Sequence, residues 1–181
     1  MKKMIASLVA VIFIAASFMF NGCDTVENLE SIPLNIPITL EFQASGNAPI
    51  TDQSSYCLEQ SPTYNDFKDK IDSISFVEMV ARVDSLSNNA LTGDMLVKLE
   101  TQSGILLYEN TILSAPLSSY KTVPFRFVMQ AADIQAIDNF LKAIGQRCLK
   151  GTVTISNVSG GTAPYYIGVS VDIMLRAKAK I

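Results

Sequence analysis

The sequence predicts an antiparallel β-sandwich, immunoglobulin-like and of about seven strands, with a partly open β-barrel as the alternative. Several segments alternate apolar and polar residues, which is typical of half-buried strands. Glycine, proline, asparagine and serine separate these segments at short intervals. The strand patterns do not alternate regularly with helical patterns, as the parallel sheets of α/β folds require.

The first strand is predicted to begin at Ile32. Apolar residues then recur at every second position, as in a strand with one buried face. These residues are Ile38, Leu40 and Phe42. Because Pro33 and Pro37 cannot donate to a ladder, this strand is expected at a sheet edge. Residues 43–61 are rich in glycine, proline and serine and are predicted to form a loop.

A short helix is predicted after this loop. Ser61 is suited to the N-cap and Pro62 to the first helical position. Tyr64, Phe67 and Ile71 would then lie on one face of the helix.

Three strands are predicted in the middle of the chain. Residues 74–86 alternate, and their inward-facing positions are expected to be Val77, Met79, Ala81 and Val83. Residues 95–99 and 105–108 form two further strands, and the turn residues between them predict a hairpin.

Residues 123–129 predict another strand, which Pro124 places at an edge. A helix follows, since Ile134, Ile137, Leu141 and Ile144 recur at the helical period. Its ends are predicted from two residues, namely Asp133 as the cap at the start and Gly145 as the terminator.

Two strands complete the predicted fold. The first covers residues 152–156, and a turn follows at residues 159–161. The last strand has the most regular alternation in the chain, with apolar residues at every odd position from Ile167 to Ala179.

The composition excludes several chemistries. The sequence has no histidine, which rules out Ser-His-Asp and Cys-His catalysis and every histidine-ligated metal site. Three cysteines are too few for a four-cysteine zinc site in one chain. We therefore predict no catalytic, cofactor-binding or metal-binding residue and a protein that is not an enzyme.

The N-terminal segment has the pattern of an export signal. Lys2 and Lys3 precede 17 uncharged positions from Met4 to Phe20, a run shorter than most membrane-spanning helices. Removal of residues 1–22 would leave 159 residues (181 − 22) with a net charge of 12 − 17 = −5. A mildly acidic domain of this size does not suggest binding to nucleic acid.

The segment ends in Phe20-Asn21-Gly22-Cys23. This ending resembles the lipobox of bacterial lipoproteins, in which a small residue precedes a cysteine that receives diacylglycerol and becomes the new N-terminus. The resemblance implies residues 1–22 as signal peptide and a lipid such as palmitate on Cys23. The polar composition of the residues that follow predicts a tether over residues 23–31, and the strand patterns predict one domain over residues 32–181. An ordinary signal peptide cleaved nearby and an uncleaved anchor are the alternatives.

The resemblance also implies a location in the cell envelope, where the outer membrane is favoured over the inner membrane. Cys57 and Cys148 would then lie in a compartment that permits disulfides, and we predict that they pair. The bond would close a loop of about 90 residues and stabilise the fold by about 4 to 5 kcal/mol.

Three other patterns have plain structural interpretations. Ser118 to Lys121 matches S-x-x-K, but its surroundings predict a turn that enters a strand. A group of oxygen-bearing residues resembles calcium ligands, although turn residues have the same composition. This group comprises Asp84, Asn88, Asn89 and Asp94. Arg176, Lys178 and Lys180 share one face of the last strand, where they keep the face soluble or contact anionic lipid.

We therefore expect a lipid-anchored, non-enzymatic binding or structural module, whose partner is an envelope protein that contacts a surface or an edge strand. The alternative is a carrier or sensor of an apolar, lipid-like ligand held between the sheet and the 134–144 helix. An enzyme that relies on carboxylates, tyrosine, lysine or serine ranks third.

Overall fold

In the computed structural model, which describes residues 31–143 and 147–180, eight strands form two antiparallel sheets of four strands each. The strands are β1 (Ser31–Gly46), β2 (Ile50–Cys57), β3 (Ile71–Leu86), β4 (Thr92–Thr101), β5 (Leu106–Pro116), β6 (Phe125–Arg126), β7 (Cys148–Ser159) and β8 (Tyr165–Lys180). The helices are α1 (Pro62–Phe67) and α2 (Ala131–Lys142), with 3₁₀ turns at Leu58–Gln60 and Leu117–Lys121. The packing described below lies within the compact unit Pro33–Ala179.

The strand order is that of a jelly roll. The first sheet has the order β1-β8-β3-β6 and the second β2-β7-β4-β5. The pairs β1–β8 and β3–β6 therefore lie in the first sheet, and the pairs β2–β7 and β4–β5 lie in the second. This alternation is that of one long antiparallel ribbon rolled into two sheets. The two separate sheets confirm the predicted β-sandwich over its alternative. The strand number is eight rather than about seven, and the order differs from that of an immunoglobulin domain.

β1 follows its sequence pattern. The apolar residues from Ile36 to Ala44 are buried at every second position, and the residues between them are exposed. The strand lies at the edge of the first sheet, as its prolines predict. β8 is equally regular, and all its odd-numbered residues from Ile167 to Ala179 are buried. Since β8 lies between β1 and β3, it contributes the largest continuous apolar row to the core.

The prediction of a loop over residues 43–61 was wrong in part, because β2 occupies Ile50–Cys57. Only Ile50 of this strand is buried, since β2 lies at the edge of the second sheet and pairs with β7 on one side. A strand with so little buried apolar surface lacks the alternation by which strands are recognised.

The prediction for β3 was wrong at Val77, which is 40% exposed. The pairing of β3 with β8 shifts register between Phe76 and Glu78. A bulge of this kind reverses the side on which later residues face the core. Ile74 before the shift and Met79 after it are therefore both buried, although they are an odd number of positions apart.

The predicted strand over residues 123–129 is reduced to β6, Phe125–Arg126, which lies at the edge of the first sheet. The N–H of Phe127 still donates to the carbonyl of Met79 at 3.1 Å. Further along the same edge, β3 is contacted by α2 instead of a strand. There the Asp138 carboxylate accepts the N–H of Phe76 at 2.7 Å. The free edge of β3 is thus shared between a two-residue strand and a helix.

Both predicted helices are present. Ser61 accepts the N–H of Tyr64 at 3.3 Å as the N-cap of α1, but the chain enters β3 at Ile71, so the predicted face ends at Phe67. Residue 130, not 133, is the N-cap of α2, and Asp133 accepts its N–H at 3.1 Å. Ile144 and Gly145 lie outside the described residues.

Within the described ranges, no helix is both long enough and apolar enough to cross a membrane.

Candidate functional site

The structure describes two of the three cysteines to which the sequence assigned a role. Cys23 lies outside the described residues. Cys57 and Cys148 are joined by a disulfide, as expected, and they face each other as a register pair across β2 and β7. Glu59 lies close to both sulfurs. Because the sulfurs are bonded to each other, neither is a thiolate that could bind a metal ion.

The predicted calcium-type residues have protein partners. Asn88 donates to the carbonyl of Gly160 at 3.2 Å and accepts the N–H of Ala90 at 2.9 Å. The side-chain oxygen of Asn89 accepts a hydrogen bond from Lys121 at 3.4 Å. The contacts of Asn88 are those of a turn. The lysine of the S-x-x-K segment, Lys121, contacts Asn89.

Asp94 joins the two strands on either side of β4. Its Oδ1 accepts the backbone N–H of Ser114 at 2.6 Å, and its Oδ2 accepts the side-chain amide of Asn157 at 2.6 Å. Both donors stabilise the charged form, the Ser114 N–H most, so they hold the pKa of the Asp94 carboxyl below its ordinary value. The carboxylate is thus committed to a structural role.

An open groove with a volume of about 310 Å³ lies on the outer face of the first sheet. We call it the outer groove, and it crosses β1, β8 and β3. Its polar lining consists of Glu41, Gln43, Arg82, Asp84, Ser85, Tyr166 and Ser170. A second depression of about 270 Å³ continues along the same face over Pro37, Thr39, Val80 and Met174.

An ionic network links the two depressions. Nε of Arg82 lies 3.0 Å from Asp84 Oδ1, and its Nη1 lies 3.8 Å from Asp172 Oδ2. A hydroxyl holds each carboxylate from the other side: Ser170 donates to Asp84, and Thr39 donates to Asp172 at 2.7 Å. The bond to Asp84, followed by the charge of Asp172, raises the pKa of the Arg82 guanidinium above its ordinary range.

Gly168 lines the outer groove on β8. A Cβ atom at this position would lie 2.3 Å from Ser85 Oγ, so a side chain would displace the Ser85 hydroxyl. The absence of a side chain at Gly168 therefore leaves room for this hydroxyl.

Tyr166 stands at one end of the outer groove, two positions before Gly168 on the same face of β8. The residue is 38% exposed. Its backbone carbonyl accepts the N–H of Ser87 at 2.8 Å, and its own N–H donates to Ser87 Oγ at 3.2 Å. The aromatic side chain is therefore presented to solvent on a fixed backbone.

The sequence pattern placed several groove residues on the outward face of their strands, including Glu41, Arg82 and Ser170. It did not bring them together, because they come from strands far apart in the chain, and only the strand order makes them neighbours. Arg176, Lys178 and Lys180 are exposed on the same side of β8, as their alternation predicts.

No protein-family model matches the chain, and no curated protein sequence matches it at a significant level. Among solved structures, a chain of turnip yellow mosaic virus aligns over 83% of this chain and 95% of its own length, with 11% identity and a TM-score of 0.37. A chain of Desmodium yellow mottle tymovirus aligns over 83% and 89%, with 8% identity and a TM-score of 0.35.

A chain of the Gx strain of infectious bursal disease virus aligns over 83% of this chain, with 16% identity and a TM-score of 0.36. This chain spans only 32% of the length of that viral chain. We draw no functional conclusion from similarity at this level.

Proposed function

We propose that the protein is a lipid-anchored, non-enzymatic binding module of the cell envelope, held to the outer membrane through Cys23, and that the outer groove is its binding surface. The observation that carries this proposal is the preorganised network of Arg82, Asp84 and Asp172 beside an open groove. Groups already held in place lose little further conformational freedom when a ligand binds.

The network also suits binding. Asp84 and Asp172 each contact Arg82 and a hydroxyl donor, so both carboxylates are held in place at the surface. Carboxylate oxygens accept hydrogen bonds, which suits recognition of hydrogen-bond donors on a ligand.

The alternative function, carriage of an apolar ligand between sheet and helix, requires a cavity beneath α2. Ile137 and Leu141 of this helix are at most 1% exposed and belong to the hydrophobic core. Their burial favours the groove over the interior as the place for a ligand.

Metabolic labelling tests the anchor. Bacteria that express the full chain are fed an alkyne analogue of palmitate, and the protein is recovered from separated membrane and soluble fractions. We expect a labelled, membrane-bound protein, and no label on the Cys23→Ser variant. Label that persists in this variant, or wild-type protein without label, would overturn the anchor.

Site-specific photocrosslinking in the same cells tests the binding surface. A photoreactive residue replaces Gln43 in the outer groove or, as a control, Thr111 on β5; both native residues are exposed. We expect adducts from position 43 and none from position 111. Equal adduct formation at both positions, or none at position 43, would refute the groove as the binding surface.

A further inference from the structure

From the outer groove we infer the chemical class of the ligand: an uncharged oligosaccharide. This inference rests on the proposed binding function. It follows from the donors and acceptors of the groove, its charge, its size and the position of its aromatic ring.

The lining matches a ligand that both donates and accepts hydrogen bonds. Glu41 and Asp84 supply acceptors, Arg82 supplies donors, and the amide of Gln43 supplies both. A sugar hydroxyl is donor and acceptor at once, so several hydroxyls on one ring can be satisfied by such a mixture. An apolar ligand would cover the polar ends of Glu41 and Gln43 without supplying hydrogen-bond partners, which is costly.

The charge of the groove disfavours an anion. Glu41 and Asp84 line the outer groove and Asp172 lies beside it, while the guanidinium in its lining, that of Arg82, is shared by both aspartates. The second depression adds Glu78, which is paired with Arg126. A phosphate or uronate in the outer groove would therefore meet more carboxylates than guanidinium groups. A neutral ligand avoids this repulsion.

Tyr166 supplies a surface for the apolar side of a sugar. A pyranose ring carries its hydroxyls around the rim and presents C–H groups on its faces, which pack against an aromatic ring. The ring of Tyr166 is amphipathic and rigid, with few rotatable bonds to immobilise. It lines the open groove two positions from Gly168, so a sugar ring can lie beside it.

The dimensions favour an oligosaccharide over a protein partner. The outer groove, at about 310 Å³, lies at the lower end of small-ligand sites, which range from about 300 to 1,000 Å³. A stable protein interface would need about 800 Å² from each partner, mostly on flat surface. The second depression on the same face, lined by Thr39 and Met174, gives room for further sugar residues.

A glycan array tests the inference. The full-length protein is kept in a sugar-free zwitterionic detergent and applied to immobilised neutral oligosaccharides and to oligosaccharides that contain uronic acid. We expect retention on at least one neutral glycan and weaker retention on its acidic counterparts. Retention of the acidic glycans alone, or of none, would overturn the inference.

Variants then locate the bound glycan. Tyr166→Ala and Asp84→Asn are expected to weaken binding to the retained glycan about tenfold or more, since each removes a proposed contact with the sugar in the outer groove. The control is Lys98→Ala, which removes an ion pair of 3.3 Å with Glu109 on the second sheet and should leave affinity unchanged. Affinity unchanged in Tyr166→Ala and Asp84→Asn alike would refute this location.

The crosslinking experiment separates the two levels of failure. If position 43 captures a protein in cells while no neutral glycan is retained, the saccharide inference fails and the binding module stands. If position 43 captures nothing and no glycan is retained, both fail.

Discussion

The carboxylate of Asp94 accepts the backbone N–H of Ser114 at 2.6 Å, at a point where Ser114 has a left-handed φ of 48°. On the opposite side of β4, Asn157 has a φ of 51° and donates its amide to the same carboxylate. The pairings of β4 with β5 and with β7 both shift register beside Asp94. One side chain thus holds two bulges, one in each neighbouring strand.

Asp94→Asn tests this arrangement through its pH dependence. The pKa of Asp94 is lowered in the folded state, so its stabilising contribution is complete above the ordinary value of about 3.9 and is lost as the pH falls through the folded value. We expect the variant to be less stable than the wild type at pH 7 and the difference to shrink in acid. Urea unfolding at successive pH values measures it.

Asp69→Asn, which removes an exposed acid from the segment between α1 and β3, is the control for loss of one negative charge. A stability difference for Asp94→Asn that is equal at pH 7 and in acid would contradict the role of the charged carboxylate.

Gly160 and Gly104 form a matched pair for a steric prediction. Their φ angles are +85° and +86°, but an added Cβ would lie 2.0 Å from the Ala90 carbonyl oxygen at Gly160 and would meet nothing within 4 Å at Gly104. We expect Gly104→Ala to lower the free energy of unfolding by about 1 kcal/mol. Gly160→Ala should cost about 1 to 3 kcal/mol more, because the backbone must shift. Equal losses in chemical denaturation would refute the steric account.

Asp138 is predicted to fasten α2 to the edge of β3. Asp138→Ala removes the acceptor of the Phe76 N–H and should lower the free energy of unfolding by about 1 to 3 kcal/mol. Asp138→Asn keeps an acceptor and should lose less. Hydrogen exchange offers a local readout, since the Phe76 amide should exchange faster in the alanine variant than in Gln135→Ala, a control at an exposed position of α2. Unchanged protection of Phe76 would count against the role of Asp138.

The disulfide is predicted to be a major source of stability. Cys57 and Cys148 are 91 positions apart, and closing a loop of this length stabilises the folded state by about 4 to 5 kcal/mol in the chain-entropy model. Reductant should lower the urea midpoint of the wild type. The double variant Cys57→Ser, Cys148→Ser should start near that lower midpoint and not respond to reductant. A response of the double variant would mean that reductant acts elsewhere.

The elements that sequence analysis recovers are those whose alternation or helical period is unbroken. β1 and β8 were predicted because one buried row runs through each strand, and α1 because Ser61 and Pro62 mark its start. β2 was missed because the partner strand β7 stabilises it, and its own side chains carry little apolar signal. Val77 was misplaced because a bulge in β3 is a property of the pair β3–β8.

The outer groove was beyond sequence analysis for a related reason. Alternation tells which face a residue such as Asp84 or Asp172 occupies, but not which strand lies beside it. The hydrogen bond between Thr39 and Asp172 joins residues that are 133 positions apart, so a local sequence pattern cannot predict it. The close approach of Gly168 to Ser85 likewise depends on the pairing of β8 with β3.

The pairing of β1 with β8 has a kinetic consequence. β1 can find its sheet neighbour only after more than a hundred later residues have been synthesised, and β3 depends on that same neighbour. Such non-local contacts require loop closure before they gain stability, so we expect folding on the millisecond-to-second scale. The first sheet, and the outer groove with it, would therefore arise only when the chain is complete through β8.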